Sequence, residues 1–249
     1  MTENNLPADL VDCLRSASRV AVLTGAGVSA ESGIPTFREA QTGFWAQFDP
    51  MMLASPEGFE ADPARVWDWY QWRRELIAEA SPNAGHVALA EMAPGFDSFV
   101  LITQNVDGFH QLAGAGNVLE LHGNIQRNIC SRTRKSISYD WIEQHTESRP
   151  PPSPHHERGL ARPDVVWFGE ALDEATLEAA FAAAGGCELM IVAGTAGAVQ
   201  PAASLPFVAG EAGARVVDIN PEVTVISRSA DWHLAGPGAT WLPALARCR

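Results

Sequence analysis

Three groups of residues in this chain carry types and spacings suited to chemistry. The run Gly25-Ala26-Gly27-Val28-Ser29-Ala30 directly follows the apolar segment RVAVLT. It fits the G-x-G-x-x-A form of a dinucleotide fingerprint. Glycines there let backbone approach a pyrophosphate, and a following helix N-terminus offsets its negative charge. A tight strand-to-helix turn without a ligand uses the same residues, so the motif alone leaves both readings open. Gln104, Asn105 and Asp107 follow a second apolar segment. Closely spaced amide and carboxylate groups offer donors and acceptors to a sugar, although an Asx-rich turn has the same composition. The third group lies on a helix opened by Asp62-Pro63, a capping residue followed by proline at the first position. Val66, Trp69, Tyr70, Arg73, Leu76 and Ile77 then share one face. A guanidinium on an apolar stripe needs a partner. Arg73 either points at one ligand together with Tyr70, one turn away, or reaches solvent, Glu60 or Glu79.

The elements that must position these groups follow from hydrophobic patterning. Short β-branched runs at 19–24, 99–104, 188–193 and 214–219 read as buried strands, each followed at once by Gly, Asn or a polar turn. Helical stretches, among them 172–184 and 202–212, separate them. Alternating strands and helices predict an α/β fold with a Rossmann-like parallel sheet flanked by helices, whose ligands bind outside the carboxyl ends of the strands. Two segments interrupt the alternation: the Trp-rich, helical 43–80 and the polar, proline-rich 130–163. The expected organisation is one domain, 1–249. Its core covers about 1–38, 84–125 and 164–249, and a small helical and loop module covers about 39–83 and 126–163.

Composition narrows the function classes. A formal net charge of -13 disfavours nonspecific binding to nucleic acid or to an anionic membrane. Cys13, Cys130, Cys187 and Cys248 lie far apart, as reduced cytoplasmic thiols do, rather than in a disulfide framework. The polar N-terminus lacks the features of a signal peptide, and the apolar runs are too short to span a bilayer. A cytoplasmic monomer without nucleic-acid or membrane partners is expected.

Beyond the glycine loop the chain departs from a dehydrogenase pattern and continues Glu31-Ser-Gly33-Ile-Pro35-Thr36-Phe37-Arg38. The whole run TGAGVSAESGIPTFR resembles the signature of the sirtuin (Sir2) family. So do Thr103-Gln-Asn-Val-Asp-Gly-Phe-His110, Glu120-Leu-His-Gly123, Arg162-Pro-Asp-Val-Val-Trp-Phe-Gly-Glu170, Gly194-Thr195 and Ile219-Asn220, in the family's order. The resemblance implies a protein deacylase that consumes NAD and acts on acylated lysine side chains, giving free lysine, nicotinamide and O-acyl-ADP-ribose. It implies His122 as the general base, a task suited to an imidazole, with Asn105 and Asp107 beside it. The cofactor residues it implies are Gly25, Ala26, Gly27, Ala30, Glu31, Thr36, Phe37, Arg38, Gln104, Asn105, Asp107, Gly194, Thr195 and Asn220. Phe37 would shield the reacting centre from water and Arg38 would face the phosphates. Ala196 stands where the family usually has Ser, leaving one hydrogen bond missing or made by water.

Tyr70-Gln-Trp-Arg73 resembles the Tyr-x-x-Arg motif of sirtuins that remove succinyl and malonyl groups, which implies Tyr70 and Arg73 as the acyl pocket. Where most sirtuins hold zinc with two C-x-x-C pairs, this chain reads Cys130-Ser-Arg-Thr133 and Ser153-Pro-His-His156. Cys130 and His156 are remnants too few for a closed zinc site, so no zinc is expected. The rival readings are an NAD hydrolase or ADP-ribosyltransferase on the same fold, a non-catalytic NAD-binding module, and a dehydrogenase. Retention of His122, Asn105 and Asp107 speaks against a mere binder.

Overall fold

A computed structural model describes residues 6–35 and 43–249. Six of its strands form one parallel sheet: β1 (Arg19–Thr24), β2 (Ser98–Thr103), β3 (Val118–Glu120), and β7 (Leu189–Ala193), β8 (Arg215–Asn220) and β9 (Trp232–Ala235). They run in the order β3-β2-β1-β7-β8-β9. Three others, β4 (Gly123–Cys130), β5 (Ser136–Ile137) and β6 (Ala161–Val165), make an antiparallel sheet in the order β5-β4-β6.

The central strands are largely apolar because both faces of the large sheet are covered. Alternate residues of β1 go to opposite faces, as strand geometry requires. Val20 and Val22 pack with Leu10, Leu14, Leu89, Leu242 and Leu245, from helices Ala8–Ser16, Ala84–Met92 and Gly238–Ala246. Ala21 and Leu23 pack with Ala180, Ala184, Leu205 and Ala209, from helices Glu174–Gly186 and Leu205–Glu211. The four strands read from the sequence are present with ends shifted by up to one residue. The edge strands β3 and β9 were not anticipated, being short and lacking a continuous apolar run.

Between the sheets lies a third cluster, where Val66, Trp69, Tyr70 and Ile77 of helix Pro63–Glu79 meet Phe109, Ile125, Val165 and Trp167. Buried Arg74 ties that helix to β4: Nε donates to the Ile125 carbonyl at 2.6 Å, and Nη2 to the Arg127 carbonyl at 3.1 Å and Asn128 Oδ1 at 2.8 Å. The chain passes from the large sheet to the small one at His122-Gly123. Gly123 has φ 78°, and an added Cβ would run into the carbonyl of Asp164. Among the described residues, no helix is long and apolar enough to cross a membrane.

Candidate active site

The strand order reverses between β1 and β7, and the carboxyl ends at such a point are where these sheets bind ligands. The loops leaving the two strands touch: the Gly25 N–H donates to the Ala193 carbonyl at 3.0 Å, and the Gly27 N–H to the Gly194 carbonyl at 2.9 Å. A Cβ on Gly25 would lie 2.7 Å from the Gly194 carbonyl oxygen, and one on Gly27 2.8 Å from Gly194 Cα. Gly194 itself has φ 63°. These glycines are therefore required by the contact of the two loops, before any ligand arrives. Gln104 Nε2 donates to Thr195 Oγ1, and Asn220 Nδ2 to the Thr195 carbonyl, both at 3.0 Å. The ends of β2, β7 and β8 are thereby joined.

In the loop after β2, Asn105 and Asp107 are buried while Gln104, Val106 and Gly108 are half-buried. Asn105 is 8% exposed and Asp107 7%. Asn105 Nδ2 donates to the Gly25 carbonyl at 3.1 Å and to Ser29 Oγ at 3.2 Å, leaving Oδ1 as an acceptor. Ser29 Oγ donates to Asp107 Oδ2 at 2.8 Å, and Asp107 Oδ1 accepts from the Phe109 N–H at 2.9 Å. His86 Nδ1 accepts from the Asn83 N–H at 3.2 Å, which assigns its proton to Nε2, 3.3 Å from Ser29 Oγ. Burial lowers the pKa of His86, against the pull of Asp107. Burial, reinforced by His86, lowers that of His110 to about 3.

His122 sits at the joint of the two sheets. Its Nδ1 lies 3.0 Å from the carbonyl oxygen of Gln104. A carbonyl only accepts, so Nδ1 carries the proton and Nε2 presents a lone pair. Burial holds the pKa of His122 below its ordinary value, against the raising effect of the Gln104 carbonyl. The geometry is that of a neutral imidazole with its basic nitrogen fixed.

Tyr70, 1% exposed, accepts a hydrogen bond from Trp167 Nε1 at 3.0 Å, which leaves its own hydrogen as a donor. Arg162 braces Trp167, its guanidinium 3.3 Å from the ring centroid and its Nη1 2.7 Å from Glu170 Oε1. Arg73 lies half-buried on the same helix. Burial lowers its pKa, opposed by the negative potential of Tyr70 and Asp107.

Sequence reasoning did not single out Ser29, Thr24, Thr103, Trp167 or Arg74, the residues that hold the site. Four of them fall inside the motifs that carry the family resemblance, and Arg74 falls in none. Ala26 and Ala30 lie exposed on the short helix Ala26–Ala30. The Glu31 carboxylate accepts from the Ala239 N–H at 2.8 Å, at the start of the last helix. Thr36, Phe37 and Arg38 lie outside the described residues.

A model of the Sir2 family matches residues 25–201. The chain belongs to the Sir2 family. It is 48% identical over 223 residues to an NAD-dependent protein deacylase of Aquifex aeolicus, covering 90% of this chain and 92% of that one. To NAD-dependent protein deacylase 1 of Pseudomonas aeruginosa it is 45% identical over 242 residues, 96% and 97% of the two chains. Among solved structures, a Sir2 homolog–NAD complex superposes with a TM-score of 0.88 at 39% identity, covering 98% of this chain and 93% of that one. Sir2 bound to acetylated peptide superposes at 0.85 and 28% identity, covering 96% of each chain.

In this sirtuin the side chains at the expected zinc positions make a different cluster. The Cys130 thiol is buried and accepts from the Arg132 N–H at 3.4 Å, and the hydroxyls of Ser153 and Thr133 also bond to it. Burial raises its pKa, but those hydrogen bonds prevail and hold it below the ordinary thiol value. A Cβ on Gly159 would lie 2.7 Å from Cys130 Sγ and 3.1 Å from the Cβ atoms of both Ser153 and His156. The Nδ1 of His156 accepts from the Arg158 N–H at 3.1 Å. One thiol, two hydroxyls and an engaged imidazole do not suit zinc, which takes thiolate and imidazole ligands. Among the described residues, no group of three or more His, Cys, Asp or Glu could hold a metal. Beyond Thr133, the exposed Lys135, the chain's single lysine, marks the turn into β5.

Proposed function

We propose that this sirtuin is an NAD-dependent protein-lysine deacylase whose preferred acyl groups are acidic, succinyl or malonyl. The observation that carries the deacylase reading is the hydrogen bond between His122 Nδ1 and the Gln104 carbonyl, which reserves Nε2 as a base. When bound, NAD supplies the ribose carbon that loses nicotinamide and takes up the acyl oxygen. The loops at Gly25–Gly27 and Gly194–Thr195, with Gln104 and Asn220, would hold it. His122 takes the proton of a ribose hydroxyl, for which a neutral imidazole near working pH is suited. Asn105 offers Oδ1 to the ribose half, and buried Asp107 supplies a carboxylate beside it. Tyr70 donates its hydroxyl hydrogen to an acyl carboxylate, and Arg73 offers the guanidinium fork that such a group takes bidentately. The small module works without zinc.

The test is NAD-dependent turnover of matched acetyl-lysine and succinyl-lysine peptides, with a no-peptide control, read by mass spectrometry. Faster cleavage of the succinyl peptide, with O-succinyl-ADP-ribose formed, supports both parts. A preference for acetyl keeps the deacylase and discards the acidic pocket. Loss of NAD with both peptides unchanged points to an NAD hydrolase instead.

A further inference from the structure

Beneath the loop that carries Asn105 lies a second buried polar chain, separate from the one through Ser29. Thr24 and Thr103 end the adjacent strands β1 and β2 in register, so their side chains meet. Thr24 Oγ1 donates to Thr103 Oγ1 at 2.8 Å, and Thr103 Oγ1 also accepts the backbone N–H of Asn105 at 3.0 Å. Thr24 Oγ1 lies 2.9 Å from His110 Nε2. With the Thr24 hydrogen committed to Thr103, the Thr24 oxygen accepts, so Nε2 carries the His110 proton. The other ring nitrogen, Nδ1, is buried and has no hydrogen-bond partner among the described residues, as suits a bare lone pair better than an N–H. Thr24, Thr103 and His110 are 0%, 2% and 1% exposed.

We infer that Thr24, Thr103 and His110 are positioning residues for the deacylation reaction: a one-directional chain of hydrogen bonds from His110 through Thr24 to Thr103 that fixes the backbone of Asn105. The Ser29 chain holds the Asn105 side chain, and this one holds its main chain. Together they leave Oδ1 as the acceptor with no rotation available. The inference rests on the reading of Asn105 as a group at the ribose. His110 stays neutral across the working pH range because burial holds its pKa at about 3, so the direction of the chain does not reverse.

The test compares variants that break the chain with variants that keep it. Thr24→Val and His110→Phe remove the donors, while Thr24→Ser and His110→Gln keep a hydroxyl and an N–H in place. The expected result is a fall in kcat of about tenfold for each breaking variant, the scale of one net hydrogen bond, with KM for the acyl peptide within about twofold. The conservative variants restore most of the loss. The double variant Thr24→Val/His110→Phe is no slower than the worse single one, because both act on one chain. Losses that multiply, or breaking variants with kcat within about twofold of the parent, overturn the proposal. Should Thr24→Val not fold, the His110→Gln and His110→Phe pair decides alone. Asn105→Ala is run alongside. Unchanged turnover there removes the reading of Asn105 and the proposal with it, whereas lost turnover with an indifferent Thr24→Val removes the proposal only.

Discussion

His122, the base proposed above, is fixed in one tautomer. Its Nδ1 proton is held by a main-chain carbonyl, so the basic nitrogen survives changes in neighbouring side chains. Burial lowers its pKa, so the neutral, basic form persists to lower pH than for an exposed histidine. The acid limb of kcat/KM, which reports the free enzyme's base, is therefore expected at a midpoint below about 6.5. A midpoint above about 7 would assign the limb to another group. Tyr70 and Arg73 make the other residue-scale prediction. Removing the guanidinium while keeping a long side chain, Arg73→Met, is expected to lower kcat/KM for a succinyl-lysine peptide by about tenfold to a hundredfold, the worth of a hydrogen bond to a charged group. Acetyl-lysine turnover should change little. Equal losses on the two peptides would mean that Arg73 supports the fold rather than the acyl group.

At the scale of elements, the parallel sheet was legible in the sequence because central strands covered on both faces must be continuously apolar. Strands β1, β2 and β7 announce themselves in this way, and so does β8 apart from Asp218, which is buried with its carboxylate bonded by Thr224 and Ser227. The clustering of Gly25, Gln104, Asn105, Thr195 and Asn220 followed from the rule that ligands sit at carboxyl strand ends. The three-stranded sheet did not follow, since β4, Gly123–Cys130, carries Asn124, Gln126, Arg127 and Asn128 among its residues. These polar side chains bond locally: Asn124 Nδ2 and Arg127 Nη1 donate to the Glu120 carboxylate, and Asn128 Oδ1 accepts from Arg74. The pairing of Tyr70 with Trp167 spans 97 positions and leaves no periodic trace. The small module gives the prediction at this scale. With the Cys130 thiol bonded by hydroxyls and amides, purified protein should contain no stoichiometric zinc, and a strong chelator should leave activity and Tm unchanged. One zinc per chain by elemental analysis would refute this.

For the whole molecule, the buried histidines set the response to acid. The folded state holds His110 at about 3 and His86 below its ordinary value, whereas the unfolded chain protonates both near 6.5. Above the unfolded value neither state binds these protons, and the two residues leave stability indifferent to pH. Below it the unfolded state binds more, so stability falls as pH falls, by about 1.4 kcal/mol per pH unit for each histidine that stays neutral. Urea unfolding from pH 7 to pH 5 should show this slope, and His110→Gln should remove about one histidine's share of it. A parent chain equally stable at both ends of that range would contradict the burial of these imidazoles.

The lone lysine on the turn before β5 has a consequence of another kind. An enzyme that strips acyl groups from lysines is ordinarily a substrate for whatever puts them on. This chain meets solvent with arginines, whose guanidinium groups stay protonated, and its side chains offer a reactive thioester one amine, that of Lys135. Exposed to acyl donors, it can be marked there at one lysine, so it competes little with its own clients for the reaction it performs.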